Sequence, residues 1–495
     1  MTRRTVAIPP FRVDLQAPGT LQQRIYGSIR GAILDGVVKP GTRLPSSRDL
    51  ARDLGISRTT AVLALEQLLA EGYLATRRGS GTFVAEQLPD DLPRARAIRP
   101  ISKPTHPPLS RRGAALAASP QGSVRLEGPP RPFRVGTPGL DLFPVRLWSR
   151  LVRGKLRAIS VTHMDYGEVA GLRALREAIA DHVQAVRGTR CTADQVIVVA
   201  GAQQGLDLTC RLLLDPGDHV WMEEPGYPGA RSALLAAGAR INPARVDSEG
   251  LDVDAAKRQA GSARLAYVTP SHQYPLGVPM SLPRRLALLG WARAAGAWVV
   301  EDDYDSEFRY GSHPVPCLHG LDTDGRVIYV GSFSKTLFPA LRMGFLIVPA
   351  DLQERFVAAR RAADQHPPVI DQAVLAEFIA EGHFARHLRR MRAAYRERLE
   401  ALADAAERCC GGVLSLRPVR TGLHAVAELT GVDAVRVASE AASRGVEAIP
   451  LAVYFTRAAR VLNGLVLGFA AVPPDALRAG MEQLAAAIDA ARPRR

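Results

Sequence analysis

Apolar residues recur at Leu21, Ile25, Ile29 and Ile33, the spacing of one helix face, and Gly36 offers a stop, so a helix is predicted over 21–36. After the turn KPGTRLP, Ser46 or Ser47 can cap a short helix to Leu54, Gly55 breaks it, and Ser57 can cap the next. That third helix, Ser57 to about Glu71, is expected to turn Val62, Leu65 and Leu69 inward and to leave Ser57, Arg58, Thr59 and Thr60 at an exposed start. YLATRRGSGTFV then reads as two short strands around a glycine-rich turn carrying Arg77 and Arg78.

From residue 86 to about 132 the periodicity fades into a Pro- and Arg-rich stretch that reads as a linker. Beyond it, helical segments such as Gly171 to Val186 alternate with short apolar runs, VIVVA, AYVTP, AWVVED and VIYVG. That alternation predicts βα units around a largely parallel sheet. The last hundred residues, with helices and then HAVAEL and GLVLGFA as strands, read as a smaller α+β lobe. A chain of 495 residues exceeds one ordinary core, and a multidomain protein is expected. The divisions are a reader over 15–85, the linker over 86–132, and a body over 133–490. Within the body a large lobe is expected over about 160–365 and a small lobe over 366–490 joined by 133–159.

Charge sharpens this division. The net charge is +15. Residues 1–85 carry 12 Lys/Arg against 6 Asp/Glu, and 86–132 carry 8 against 4, so most of the excess lies in the first quarter. A basic N-terminal unit favours an anionic partner. The five cysteines show no CxxC pair and no His-Cys cluster at metal spacing, so no metal is expected. The start MTRRTVAIPPF lacks a signal-like apolar stretch and no later run is long enough to cross a bilayer, so no membrane partner is expected and the cytoplasm is the predicted location.

Short polar and arginine side chains at the start of the third helix suit base edges and phosphates in a major groove, and a basic hairpin suits phosphate or a minor groove. KPGTRLPSSRDLARDLGISRTTAVLALEQLLAEGYLATRRGSGTFV resembles the winged helix-turn-helix of the GntR family in continuous order. The resemblance implies double-stranded promoter DNA as partner, contacted by Arg43, Ser46, Ser47, Arg48, Ser57, Arg58, Thr59, Thr60, Arg77 and Arg78.

The body carries a second chemistry. In GSFSKTLFPALRMGF, Lys335 stands beside Ser332 and Ser334, and Arg342 follows, donors suited to a phosphate dianion next to an amine that can hold an aldehyde. VIVVAGAQQGLDL runs from a strand into a helix, which leaves the N–H groups of Gly201, Ala202 and Gln203 where a phosphate can sit. VVEDDYDSEFRY ends an apolar strand with carboxylates, of which Asp302 can keep a pyridinium nitrogen protonated, with Tyr304 as donor to a phenolate oxygen. EEPGYPGAR supplies Tyr227, whose ring can stack on a pyridine face or pack in the core.

These motifs resemble, in order across residues 133 to 490, an aminotransferase of fold type I that uses pyridoxal 5'-phosphate. The resemblance implies a Schiff base at Lys335, Asp302 at the ring nitrogen, Tyr304 at the phenolate and Arg342 at the phosphate. It also implies that Tyr166, in MDYGEVAG, reaches a partner's phosphate across a homodimer. Two departures bear on activity. TPSHQYPLG stands where an NPTG-like turn is usual, so Tyr274 occupies the Asn-like slot, and His272 or Gln273 is expected to take over that contact. LVLGF stands where a strand usually presents a carboxylate-binding arginine, leaving Val466 there; Arg457, Arg460 or Arg231 are the candidate replacements.

A GntR-like reader joined to an aminotransferase-like body resembles the MocR subfamily of bacterial transcriptional regulators. The resemblance implies a regulator that senses pyridoxal phosphate, an amino acid or an amine, with control of vitamin B6 synthesis or amine metabolism as its branches. The missing carboxylate arginine tilts that choice toward pyridoxal phosphate itself. The alternative is a working aminotransferase with an accessory DNA-binding domain.

Overall fold

The structure, a computed structural model, describes residues 5–8, 11–14, 17–77, 80–89, 109–118, 128–311, 316–456 and 462–492. The chain divides into two compact units, Met1–Pro107 and Pro108–Arg495.

In the first unit a hairpin of β1 (Thr5–Ile8) and β2 (Phe11–Asp14) precedes three helices, α1 (Leu21–Leu34), α2 (Ser47–Leu54) and α3 (Arg58–Ala70). A capping box of Thr20 and Gln23 starts α1, Ser46 caps α2, Gly55 at φ +66° ends it, and Ser57 caps α3. Each such cap contributes about 1 kcal/mol. Strands β3 (Leu74–Arg77) and β4 (Gly81–Val84) pair antiparallel as a wing.

Three sequence expectations fail here. The buried face of α3 is Ala61, Ala64, Leu65 and Leu68, while Val62 and Leu69 are half-buried, because the alanines let α3 lie close against α1. Leu21 is 43% exposed, at the open first turn of α1, and Ile25, Ile29 and Ile33 carry its packing. The reader's core also reaches back before residue 15, since Val13 is wholly buried in it.

In the second unit a helix over Arg111–Ala117 lies in the stretch read as linker. It packs on the helix Pro228–Ala237, where both Nε and Nη2 of Arg112 donate to the carbonyl of Ala236, at 3.0 and 2.9 Å. The last carbonyls of a helix lack intrahelical partners, and a guanidinium satisfies this one.

The main sheet holds β5 (Val196–Val199), β6 (His219–Glu224), β7 (Arg240–Asp247), β8 (Gly250–Leu251), β9 (Leu265–Val268), β10 (Trp298–Asp303), β11 (Val327–Ser332) and β12 (Gly344–Ile347) in the order β5-β12-β11-β10-β9-β6-β7-β8. Strands β11, β10, β9, β6 and β7 are parallel in succession; β12 runs against both its neighbours. Strands β5, β9 and β12 are buried along their whole length, which explains their unbroken apolar runs.

A second sheet, β13 (Leu414–Leu416), β14 (His424–Leu429), β15 (Ile449–Pro450) and β16 (Gly464–Gly468), is antiparallel and packs with the helices His383–Cys410, Ala434–Ser443 and Pro474–Ala491. Phe133 bridges to Gly468, and Arg134 pairs with Glu447 at 2.6 Å, so the start of the body joins this smaller lobe.

Candidate functional site

The parallel strands end on one side of the sheet, the edge where open α/β sheets bind ligands. There β10 ends in Asp302 and Asp303, β11 in Ser332, and β5 passes through Ala200 and Gly201 into the helix Ala202–Leu213. These ends open on a cleft of about 290 Å³. Ala202, Gln203, Tyr227, Asp302, Tyr304, Ser332, Ser334, Lys335 and Arg342 line it, so segments more than a hundred residues apart in sequence meet.

Alternation along β10 separates the carboxylates. Glu301 and Asp303 turn to one face: Glu301 accepts from the N–H groups of Leu318 and His319, and Asp303 pairs with Arg187 at 2.6 Å and accepts from Tyr329 at 2.7 Å. Asp302 turns to the cleft, where Oδ2 accepts from Tyr267 at 2.7 Å. Its Oδ1 is buried without a partner among the described residues. Burial, with the charges of Asp303 and Asp305, pushes the Asp302 carboxyl up to about 7 against the pull of Tyr267 and Lys335. A buried carboxylate oxygen without a donor invites a cationic N–H.

Lys335 donates from Nζ to the carbonyl of Gly136 at 2.6 Å. Desolvation lowers its pKa, opposed by Asp305 and Asp302, which favours the neutral, nucleophilic amine. Arg342 sits at φ +50° and donates to the carbonyl of Ala200 at 2.8 Å. Its guanidinium lies 3.4 Å from where a Cβ on Gly201 would project, so glycine there, at φ +95°, makes room for it. The helix Ala202–Leu213 opens without a side-chain cap. Ala202 and Gln203, its first two residues, line the cleft beside Arg342, Ser332 and Ser334, a donor set that suits a phosphate.

Aromatic rings wall the other side. Tyr227 meets Tyr274 edge-on at 5.7 Å, and Tyr274 meets Tyr304, His424 and Tyr454 at 5.7, 5.4 and 5.2 Å. Tyr304 donates its hydroxyl to the backbone carbonyl of His272 at 3.0 Å, and His272 Nδ1 lies 3.1 Å from both oxygens of Asp305. A Cβ on Gly422 would stand 2.0 Å from His272 Cε1, so the smaller lobe closes against this pair through a glycine. His272, Asp305 and His424 bring ligand-type atoms within 4.8 Å, but Nδ1 of His272 faces Asp305 and Nε2 of His424 bonds the carbonyl of Pro275 at 3.0 Å.

Several expectations need correction. Neither His272 nor Gln273 lines the cleft: His272 lies behind Tyr304, and the Gln273 amide is spent on Glu223, Pro225 and Tyr274. Tyr274 itself lines it. Val466 is buried among Leu276, Val426, Leu451 and Tyr454, so that position is core. Arg231 is buried beside the cleft's aromatic wall, donating to the carbonyl of Tyr454 at 2.9 Å, and does not line the cleft. Arg457 and Arg460 lie outside the described residues. Tyr166 is 82% exposed against His366, apart from the cleft of its own chain. Sequence reading missed Gly136, Tyr267, Thr269, Asp305 and His424. Only Asp305 carried a signal, as the last carboxylate of EDDYD.

In the reader, Arg58 and Thr59 are exposed at the start of α3 and Arg48 on α2, while Arg43 bridges to Phe83 of the wing. Arg77 is exposed on β3, in contact with Glu86 and the Phe83 ring. Ser46 and Ser57 spend their hydroxyls on caps, accepting from the N–H of Asp49 and Thr60 at 3.2 and 3.1 Å. Thr60 shares the second cap, its hydroxyl 2.8 Å from Ser57 Oγ, and Ser47 is the half-buried first residue of α2. Arg78 lies outside the described residues. Among the described residues no helix is long and apolar enough to cross a membrane.

Residues 150–485 match the model of aminotransferase class I and II, and residues 21–84 match that of the bacterial regulatory proteins of the gntR family. The chain is 41% identical over 96% of its length, and 95% of the relative's, to the probable rhizopine catabolism regulatory protein MocR of Rhizobium meliloti. It is 33% identical to the pyridoxine biosynthesis transcriptional regulator PdxR of Corynebacterium glutamicum, covering 97% and 98% of the two chains. Among solved structures, the α-aminoadipate aminotransferase LysN of Thermus thermophilus, complexed with N-(5'-phosphopyridoxyl)-L-leucine, is 31% identical with a TM-score of 0.66 over 72% of this chain and 92% of that one. An archaeal alanine:glyoxylate aminotransferase is 26% identical with a TM-score of 0.70 over 77% and 98%. The family and these neighbours imply dependence on pyridoxal phosphate, and the orphaned Asp302 oxygen, the desolvated Lys335 and the donor set around Arg342 fit that cofactor. With a gntR-type reader ahead of an aminotransferase-type body along nearly its whole length, the chain belongs to the MocR-type transcriptional regulators.

Proposed function

We propose that this protein is a pyridoxal-phosphate-dependent transcriptional regulator in which the cleft senses the cofactor, or an amine or amino acid captured by it, and the reader acts on promoter DNA. The observation that carries the reading is the convergence on one cleft of an unpartnered buried Asp302 oxygen and a desolvated Lys335 in a chain that also holds an exposed arginine-bearing helix start.

Bound there, pyridoxal phosphate supplies an aldehyde that captures primary amines. Lys335 would hold it covalently. Asp302 would hold a proton at the ring nitrogen, Tyr304 would turn its one hydroxyl proton from the His272 carbonyl toward the phenolic oxygen, and Tyr227 would cover the ring. Arg342, Ser332, Ser334 and the N–H groups of Ala202 and Gln203 would hold the phosphate. Tyr166 would complete the partner's site in a homodimer, which fits its exposure. In the reader, Arg58 and Thr59 would meet base edges, with Arg43, Arg48 and Arg77 on phosphates.

The relatives point to two branches of control, rhizopine catabolism in one and pyridoxine biosynthesis in another. The apolar setting of Val466, where a carboxylate clamp is usual, favours sensing over transamination. Fluorescence anisotropy at fixed salt, on DNA from upstream of the protein's own gene with scrambled DNA as control, tests the reading. Specific affinity that changes with pyridoxal phosphate or an added amine is expected. No specific binding, together with sustained conversion of amino donor and keto acid, would replace the regulator with an aminotransferase.

A further inference from the structure

The helix Val145–Arg157 carries Arg146, Arg150, Arg153, Lys155 and Arg157 and no acid. Lys155 pairs with Glu377 of the neighbouring helix Val369–Ala380. The four arginines recur at i, i+4, i+7 and i+11, within about 60° of one another around the axis, and all are exposed. Among the described residues none has an acidic partner. The opposite face, Leu147, Trp148, Leu151 and Val152, packs into the core.

Helix stability accounts for Arg157, a cation in the last turn where the dipole favours one, but not for the rest of the stripe. Like charges four apart repel, and Arg146 stands in the first turn, where the positive end of the helix dipole disfavours a cation and no acid compensates. Several other exposed arginines on helices are paired, as in Arg173–Glu177, Arg211–Asp207 and Arg478–Asp475. Arg390, bonded to the carbonyl of Leu142, adds a further cation next to the start of the same helix. A row of guanidinium groups on one helix face, without acidic partners among the described residues, fits a row of anions.

We propose that this stripe is a second, sequence-independent contact for the sugar-phosphate backbone of duplex DNA, carried by the body rather than by the reader. The proposal rests on the regulator reading above. The stripe is about 17 Å long, the rise of about five base pairs. A fragment of 60 base pairs is about 200 Å long, so it offers the body duplex beyond the reader's own site.

The test compares the full chain with R146Q/R150Q/R153Q/R157Q on a 20-base-pair operator fragment and on a 60-base-pair fragment centred on it, over a salt series. Four lost phosphate contacts, at about 0.9 each, should flatten the slope of log K against log salt by about 3.6 on the long fragment and by no more than that on the short one. Equal slopes on the long fragment would overturn the proposal. So would a changed oligomeric state of the folded variant by light scattering, which would make the stripe a contact between copies. If the unsubstituted chain shows no specific binding at all, the regulator reading fails separately. The stripe is then judged on scrambled 60-base-pair DNA, where the variant must still lose slope.

Discussion

The Nζ of Lys335 donates to the carbonyl of Gly136, 199 residues earlier in the chain, at 2.6 Å, and Gly136 at φ +76° has no room for a side chain there. A Cβ on it would lie 2.8 Å from Nζ. The segment that opens the body thus holds the amine in place. Lys335→Ala is expected to abolish borohydride-trappable cofactor while leaving the fold intact by circular dichroism. Gly136→Ala should slow loading several-fold, followed by absorbance on mixing with pyridoxal phosphate. Undiminished trapping in Lys335→Ala would assign the covalent bond to another lysine.

Asp302 yields a pH prediction. Its folded pKa of about 7 stands above the ordinary value of 3.8, so the folded chain binds the proton more tightly. Below about pH 4 both states are protonated; between about 4 and 7 the unfolded chain ionises first, and stability falls as pH rises. The cofactor-free protein should lose a few kcal/mol from this group over that window, and Asp302→Asn should remove that share of the slope in urea melts from pH 4.5 to 7.5. Glu223 and Glu307, also raised to about 7 by burial, act in the same direction, so only the difference between variant and parent isolates Asp302.

Gly422 meets His272 so closely that alanine cannot enter without moving the ring or the smaller lobe, and its φ of +85° adds backbone strain. Gly422→Ala should destabilise the body by about 2 to 4 kcal/mol in a denaturant titration. An unchanged midpoint would mean that the two lobes do not close on His272 and Asp305 in solution.

Arg58 and Ser57 separate recognition from stability in the reader. Arg58→Ala should weaken specific DNA binding by about tenfold or more with little effect on Tm. Ser57→Ala, which removes the cap on the N–H of Thr60, should lower reader stability by about 1 kcal/mol. Equal DNA affinity in Arg58→Ala would move recognition to another element.

The reader was legible because its signals are local: Ser46, Gly55 and Ser57 mark helix ends, and Ile25, Ile29 and Ile33 mark a face. The error on α3 arose because alanine carries little hydrophobic signal, although Ala61 and Ala64 set the approach of two helices. The helix Arg111–Ala117 escaped notice because seven residues show little periodicity, and tertiary packing against Pro228–Ala237 holds it.

By itself the sequence determined the two-part organisation, the alternating body, and the lysine, aspartate and arginine motifs of the cleft, because each is written in neighbouring residues with a fixed period or spacing. Only the tertiary structure decided that Asp305 joins Asp302 at the cleft, that Tyr274 rather than His272 or Gln273 lines it, and that Gly136, Tyr267 and His424 belong to it. Those choices depend on strand alternation and on chain segments more than a hundred residues apart meeting at one sheet edge, which no local pattern records.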